Sequence, residues 1–136
     1  MINTEMPEFI IKKVEEILAI HGGNKIAVLG LAYKGNIDDA RESPAIEIAK
    51  RLKQKKALQV TTYDPYVATS DVAHLEVALT DSDLALILCD HDAFKDIAPA
   101  AIQAMKQKIV FDTKNIVTDK TRFDAAYSLG ALPSAQ

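Results

Sequence analysis

The stretch K-I-A-V-L-G-L-A-Y-K-G-N-I-D-D-A-R-E-S-P-A-I-E-I-A-K, residues 25–50, constrains this chain more than any other. It reads as a buried strand, a polar loop and an amphipathic helix. Ile26, Val28 and Leu29 make the strand apolar, and Ala27 lets a neighbour pack closely. Ser43 is a good N-cap, and Pro44 follows at the first helical position, where its missing N–H costs nothing. Ala45, Ile48, Ala49 and Leu52 then fall at i, i+3, i+4 and i+7, one helical face. A strand feeding a helix in this way opens a βαβ unit. The connecting loop, residues 31–42, exceeds the usual two to six residues of such a connection. It carries Tyr33, Lys34, Asp38, Asp39, Arg41 and Glu42 and is poor in Ser and Gly, so it reads as functional rather than disordered.

The pattern repeats along the chain. Pro7 starts a helix with Phe9, Ile10, Val14, Ile17 and Leu18 as its apolar stripe, closed by His21-Gly22-Gly23-Asn24. This entry segment, residues 1–24, either packs on the sheet or docks on something outside the chain. Residues 58–63 are a β-branched and aromatic strand ending in the turn Asp64-Pro65. Residues 72–79 read as a short helix. L-A-L-I-L-C, residues 84–89, is apolar without alternation, as in a parallel strand covered on both faces. Residues 93–105 read as helix broken at Pro99, residues 109–112 as a fourth strand, residues 119–127 as a last helix, and residues 131–136 as a tail. The fold class expected is therefore α/β: a Rossmann-like three-layer domain over residues 25–130, with an open, mostly parallel sheet and an added N-terminal helix.

Composition narrows the function classes. A chain of 136 residues with 49% hydrophobic content suits one domain with a proper core. A net charge of −3 and a pI near 5.6 argue against a general nucleic-acid or membrane-surface binder. No apolar run reaches the ~20 residues of a membrane span. The first residues lack the basic start and apolar stretch of a signal peptide, so a cytoplasmic location is expected. A single cysteine, Cys89, provides neither a disulfide framework nor a cysteine-based zinc site, and no metal is expected.

In a sheet of this class the C-terminal strand ends share one edge, where ligands bind. The first strand leads there to Tyr33, Lys34 and Arg41, the second to Asp64, the third to His91 and the fourth to Lys114. Two lysines and an arginine at one edge suit an anion such as a phosphate or diphosphate, with the tyrosine ring available to stack on a base or sugar. Arg41 has a second role open to it, bracing the loop against Asp38, Asp39 or Glu42, and both roles can coexist. Asp38 and Asp39 read as bracing or capping groups. Asp64 sits where a ribose-binding acid would, but Asp-Pro reads first as a turn. His91 reads as a loop-holding histidine rather than a base, and Cys89 as a core residue rather than a nucleophile. A dinucleotide site needs G-x-G-x-x-G after the first strand. Here the residues are G-L-A-Y-K-G, so an independent NAD domain is not expected.

The stretch G-L-A-Y-K-G-N-I-D-D-A-R-E-S-P-A closely resembles the signature of the C-terminal domain of the UDP-glucose/GDP-mannose dehydrogenase family. Four further pieces agree in order: N-T-E-M-P, Y-D-P, D-H-D-A-F and F-D-T-K-N. Within the family the I-D-D-A-R-E-S-P-A wording looks most like UDP-N-acetyl-D-mannosamine dehydrogenases. The resemblance implies an NAD-dependent, homo-oligomeric enzyme that oxidises the C6 alcohol of a UDP-sugar to a carboxylate. It implies that an N-terminal half carries the NAD fingerprint and that this half, with a central helical region, supplies the catalytic cysteine and lysine. None of those catalytic residues is expected in this chain, which would be inactive alone. On the same resemblance Tyr33, Lys34 and Lys114 would contact the UDP-sugar, and Arg41 would reach across a cleft towards NAD. The family carries either lysine or arginine at the position of Lys114. Two other readings stand beside this one: a stand-alone nucleotide-binding module, and a phosphoacceptor domain of the same fold class.

Overall fold

The computed structural model describes residues 6–32 and 43–129. The elements in chain order are α1 (Met6–His21), β1 (Lys25–Leu29), α2 (Pro44–Lys53), β2 (Gln59–Tyr63), α3 (Leu75–Leu79), β3 (Leu84–Ile87), α4 (Pro99–Gln103), β4 (Ile109–Asp112) and β5 (Ala125–Ser128). Short 3-10 turns at Asp92–Phe94 and Lys120–Arg122 precede α4 and β5. All strand pairs are parallel and the spatial order is β2-β1-β3-β4-β5. The order reverses between β1 and β3, which makes their C-terminal ends the switch point of the sheet.

Every side chain of β3 and β4 is buried, as the unalternating apolar runs require of a sheet covered on both faces. Ile26, Val28, Leu84, Leu86 and Phe111 point to one face, under α1 and α2. Ala27, Leu29, Ala85, Ile87 and Val110 point to the other, under α3, α4 and Phe94. The three-layer expectation is met. The Ser43 cap holds as read from the sequence: its side chain accepts from the Ala45 amide at 3.2 Å, and Ala45, Ile48, Ala49 and Leu52 are buried.

The entry helix packs on this domain. Ile10, Ile11, Val14, Ile17 and Leu18 join the core beneath α2, and Lys55 pairs with Glu15 at 2.9 Å. Phe9 does not belong to the stripe and is 43% exposed. It lies five residues from Val14, about 140° around the helix from the buried centre, whereas Ile11 lies within 60°. The expected last helix over residues 119–127 is a second correction. Only the turn at Lys120–Arg122 is helical, and Ala125–Ser128 forms β5, paired with β4 from Ile109↔Ala125 to Asp112↔Ser128. Ala125, Tyr127 and Leu129 meet the α1 side of the core with a period of two, a strand pattern. The Tyr127 hydroxyl also bonds His21 Nε2 at 2.7 Å, tying the edge strand to the end of α1. Among the described residues no helix is long and apolar enough to cross a membrane.

Candidate functional site at the C-terminal edge of the sheet

At the end of β1 the chain turns at Gly30, with φ +107°. A Cβ there would lie 2.5 Å from Cys89 Cβ, so glycine is what lets the exits of β1 and β3 touch at the switch point. Leu31 and Ala32 follow and are buried. Their amides both donate to Asp64 Oδ2, at 2.7 and 3.0 Å. The same oxygen lies 2.8 Å from His91 Nε2, and Asp64 Oδ1 accepts from the Tyr66 amide at 2.7 Å. One buried carboxylate therefore ties together the exits of β1, β2 and β3. His91 is fully buried, with its ring 4.8 Å from that of Tyr66 and 5.5 Å from that of Phe94. Asp64 is thus more than the turn residue its Asp-Pro context indicates, and its carboxylate is taken up by the scaffold rather than offered to a ribose. His91 holds loops, as read from the sequence.

The exit of β4 is built the same way. Asp112, with no exposed side-chain surface, accepts from the Lys114 amide through Oδ1 at 3.2 Å. Its Oδ2 accepts from the Ile116 and Val117 amides, each at 2.8 Å. Thr113 fastens this turn to β3 through its hydroxyl, which donates to the Ile87 carbonyl at 2.6 Å. Lys114 is exposed at the top of the turn, and among the described residues its side chain has no hydrogen-bond or ion-pair partner. The sequence reading missed Asp112 as an organiser; its only local signal is the Asx-turn spacing to Lys114.

Of the residues expected to meet a ligand, Lys114 is where the reading put it, at a C-terminal strand end. Tyr33, Lys34 and Arg41, with Asp38, Asp39 and Glu42, lie outside the described residues. The flanks of their segment meet at this same edge: the Ser43 hydroxyl donates to the Ala32 carbonyl at 3.4 Å. Cys89 is buried, and burial first, then the nearby Asp64 and Asp90 carboxylates, pushes its thiol up to about 11. It is a core thiol, not a nucleophile at neutral pH. No group of three or more potential metal ligands occurs among the described residues.

The described part of the β1 exit, residues 30–32, is not built as a dinucleotide cradle. A pyrophosphate cradle needs free backbone amides and close approach. Here the Leu31 and Ala32 amides are already bonded to Asp64, the Gly30 amide donates to the Tyr63 carbonyl at 2.8 Å, and the Leu31 side chain is buried in the core.

Comparison with known proteins decides the family. The model of the UDP-glucose/GDP-mannose dehydrogenase family, UDP binding domain, matches residues 27–119. The chain belongs to that family. It is 39% identical over 124 residues to a UDP-N-acetyl-D-mannosamine dehydrogenase of Methanococcus maripaludis, covering 85% of this chain and 29% of that protein. The structure of the UDP-N-acetyl-mannosamine dehydrogenase from Staphylococcus aureus superposes with a TM-score of 0.84 at 37% identity, covering 93% of this chain and 31% of that one. That from Pyrococcus horikoshii gives 0.83 at 33% identity, over 94% and 31%. The chain thus spans about three-tenths of the length of the relatives it matches. The matched region of this UDP-binding domain runs from within β1 through β4 and takes in their exits, Lys114 included.

Proposed function

We propose that this chain is the UDP-sugar-binding domain of an NAD-dependent nucleotide-sugar 6-dehydrogenase acting on UDP-N-acetyl-D-mannosamine. The match of the family's UDP-binding-domain model over residues 27–119 carries the reading. The exposed cation at the switch-side edge supports it. In this reading Lys114 contacts the diphosphate of the nucleotide sugar, with Lys34 beside it and Tyr33 against the base or sugar. Residues 25–130 form the binding domain, residues 1–24 lead into it, and residues 131–136 are a tail.

Oxidation of the C6 alcohol to the carboxylate takes place, in this reading, on parts of such enzymes that these 136 residues do not span. The dinucleotide belongs there too, since the described amides of the β1 exit, those of Gly30, Leu31 and Ala32, are already bonded; Arg41 reaches towards it from this side. The parent enzyme is a homo-oligomer located in the cytoplasm.

UDP titrated into the chain is the direct test, followed by calorimetry and amide chemical shifts. Two charge-assisted contacts in a site open to water and salt give a dissociation constant in about the millimolar range. The Thr113, Lys114 and Asn115 amides should shift, and added salt should weaken binding. Shifts confined to other surfaces would refute the site. With a UDP-sugar and NAD supplied, the chain should generate no NADH absorbance above background, and turnover would refute the division of labour.

A further inference from the structure

We propose that Asp112 is a positioning residue for nucleotide binding: its buried carboxylate presets the turn that presents Lys114 to the diphosphate. The inference rests on the UDP reading of Lys114. Three backbone amides in a span of six residues converge on this one side chain, from Lys114, Ile116 and Val117, at 2.8 to 3.2 Å. A lysine is a flexible point charge, and its affinity for an anion depends on how much freedom binding removes. Fixing its backbone in advance removes part of that loss. The conformation being held is an uncommon one, because Asn115 has φ +57° and its amide bonds back to the Asp112 carbonyl at 3.3 Å.

The second cation of the turn serves the same end. Lys120 Nζ donates to Asn115 Oδ1 at 3.0 Å and to the Val117 carbonyl at 3.3 Å, and lies 3.7 Å from Asp112 Oδ2. Its charge faces inward and offsets the buried carboxylate. The two lysines of this turn therefore divide the work: Lys120 closes the turn from inside, and Lys114 projects from it.

The test is a double-mutant cycle on UDP affinity in the 136-residue chain, using Asp112→Asn, Lys114→Ala and the pair. Asp112→Asn keeps the shape but replaces an acceptor oxygen with a donor, against the Ile116 and Val117 amides. Lys114→Ala should weaken UDP binding by about tenfold, and Asp112→Asn by about five- to tenfold. In the Lys114→Ala background Asp112→Asn should then have no further effect, because its influence passes through that side chain. A loose turn that merely destabilised the domain would lower the melting temperature but leave the effects on affinity additive, and additivity overturns the proposal. Should Asp112→Asn fail to fold, Lys120→Met loosens the same turn from its half-exposed side. Its loss of about two- to threefold in affinity should also vanish when Lys114 is alanine. A loss that persists there marks direct phosphate contact by Lys120 and overturns the division of the two lysines. If Lys114→Ala leaves UDP affinity unchanged, the UDP reading of this turn falls, and the inference with it. If only Asp112→Asn is silent, the inference alone falls.

Discussion

The two edges of the sheet use the same device to different ends. At the N-terminal edge Asp83 accepts from the Asn24 and Lys25 amides at 2.9 and 3.0 Å and from Gln107 Nε2 at 3.1 Å. Gly23, with φ +123°, lets the backbone lie against it; a Cβ there would come within 2.5 Å of Asp83 Cγ. Every partner of that carboxylate is part of the scaffold, and the arrangement closes the bottom of the domain. At the C-terminal edge Asp64 and Asp112 also collect backbone amides, but Asp112 does so beneath an exposed lysine. A buried carboxylate that collects N–H groups is therefore not in itself a sign of a ligand site. In the proposed reading, what sets the C-terminal edge apart is that an exposed lysine, Lys114, stands on the turn that the buried carboxylate organises.

The sharpest way to break this comparison is Asp83→Ala. It leaves two backbone amides and a side-chain amide without their acceptor, and should cost about 3 kcal/mol in denaturant unfolding. UDP affinity at the opposite edge should stay within about twofold, as for distant, independent sites. A large loss of affinity would mean that the two edges are coupled through the strands.

Lys114→Ala is the converse experiment. The exposed lysine contributes nothing visible to the scaffold, so stability should change by less than about 0.5 kcal/mol. UDP binding should weaken by about tenfold, or ~1.4 kcal/mol. A clear fall in melting temperature would make Lys114 a structural residue.

Acid should separate the edges more gently. Burial alone raises the Asp83 carboxyl, but the Gln107 side chain and the Lys25 and Asn24 amides outweigh it and hold the group below the usual carboxylate range. Stability from a carboxyl depressed in the folded state is fully present above its unfolded value, about 4, and is lost as pH falls through the lower folded value. Unfolding midpoints measured from pH 7 down to strongly acid conditions should therefore drop below about pH 4. Asp83→Ala should show a shallower drop, and an unchanged slope would remove Asp83 from the acid response.

The smallest expected effect is chemical. With its thiol pushed up to about 11 and only 1% exposed, Cys89 should resist alkylation in native buffer at pH 8 and react once denaturant opens the domain. Prompt labelling of the folded chain would show that the β1–β3 switch point opens readily.

Much of the fold was legible in the sequence because its signals are local. Ser43-Pro44 announced α2, the run of residues 84–87 announced a strand buried on both faces, and one glycine before bulky Leu31 argued against a dinucleotide cradle. Lys114 could be placed near a C-terminal strand end because it lies two residues past a strand whose direction the alternation of strands and helices fixes. The strand at Ala125–Ser128 was misread as helix because a strand of four residues takes its stability from pairing with β4, not from its own propensity. Phe9 was misassigned because stripe membership depends on which helix face the sheet receives.

The sequence by itself determined the fold class, the family resemblance and the place of Lys114 just past the fourth strand. The fold class follows from spacing along the chain, which periodicity and caps read directly, and the resemblance rests on the motif stretches themselves. Only the tertiary structure decided which acids are scaffold and that the Lys114 side chain is unpaired among the described residues. Asp64 finds His91 27 residues away, and Asp83 finds the Lys25 amide 58 residues away. A carboxylate's role is set by the donors that folding brings within about 3 Å, and those donors are not its neighbours in sequence.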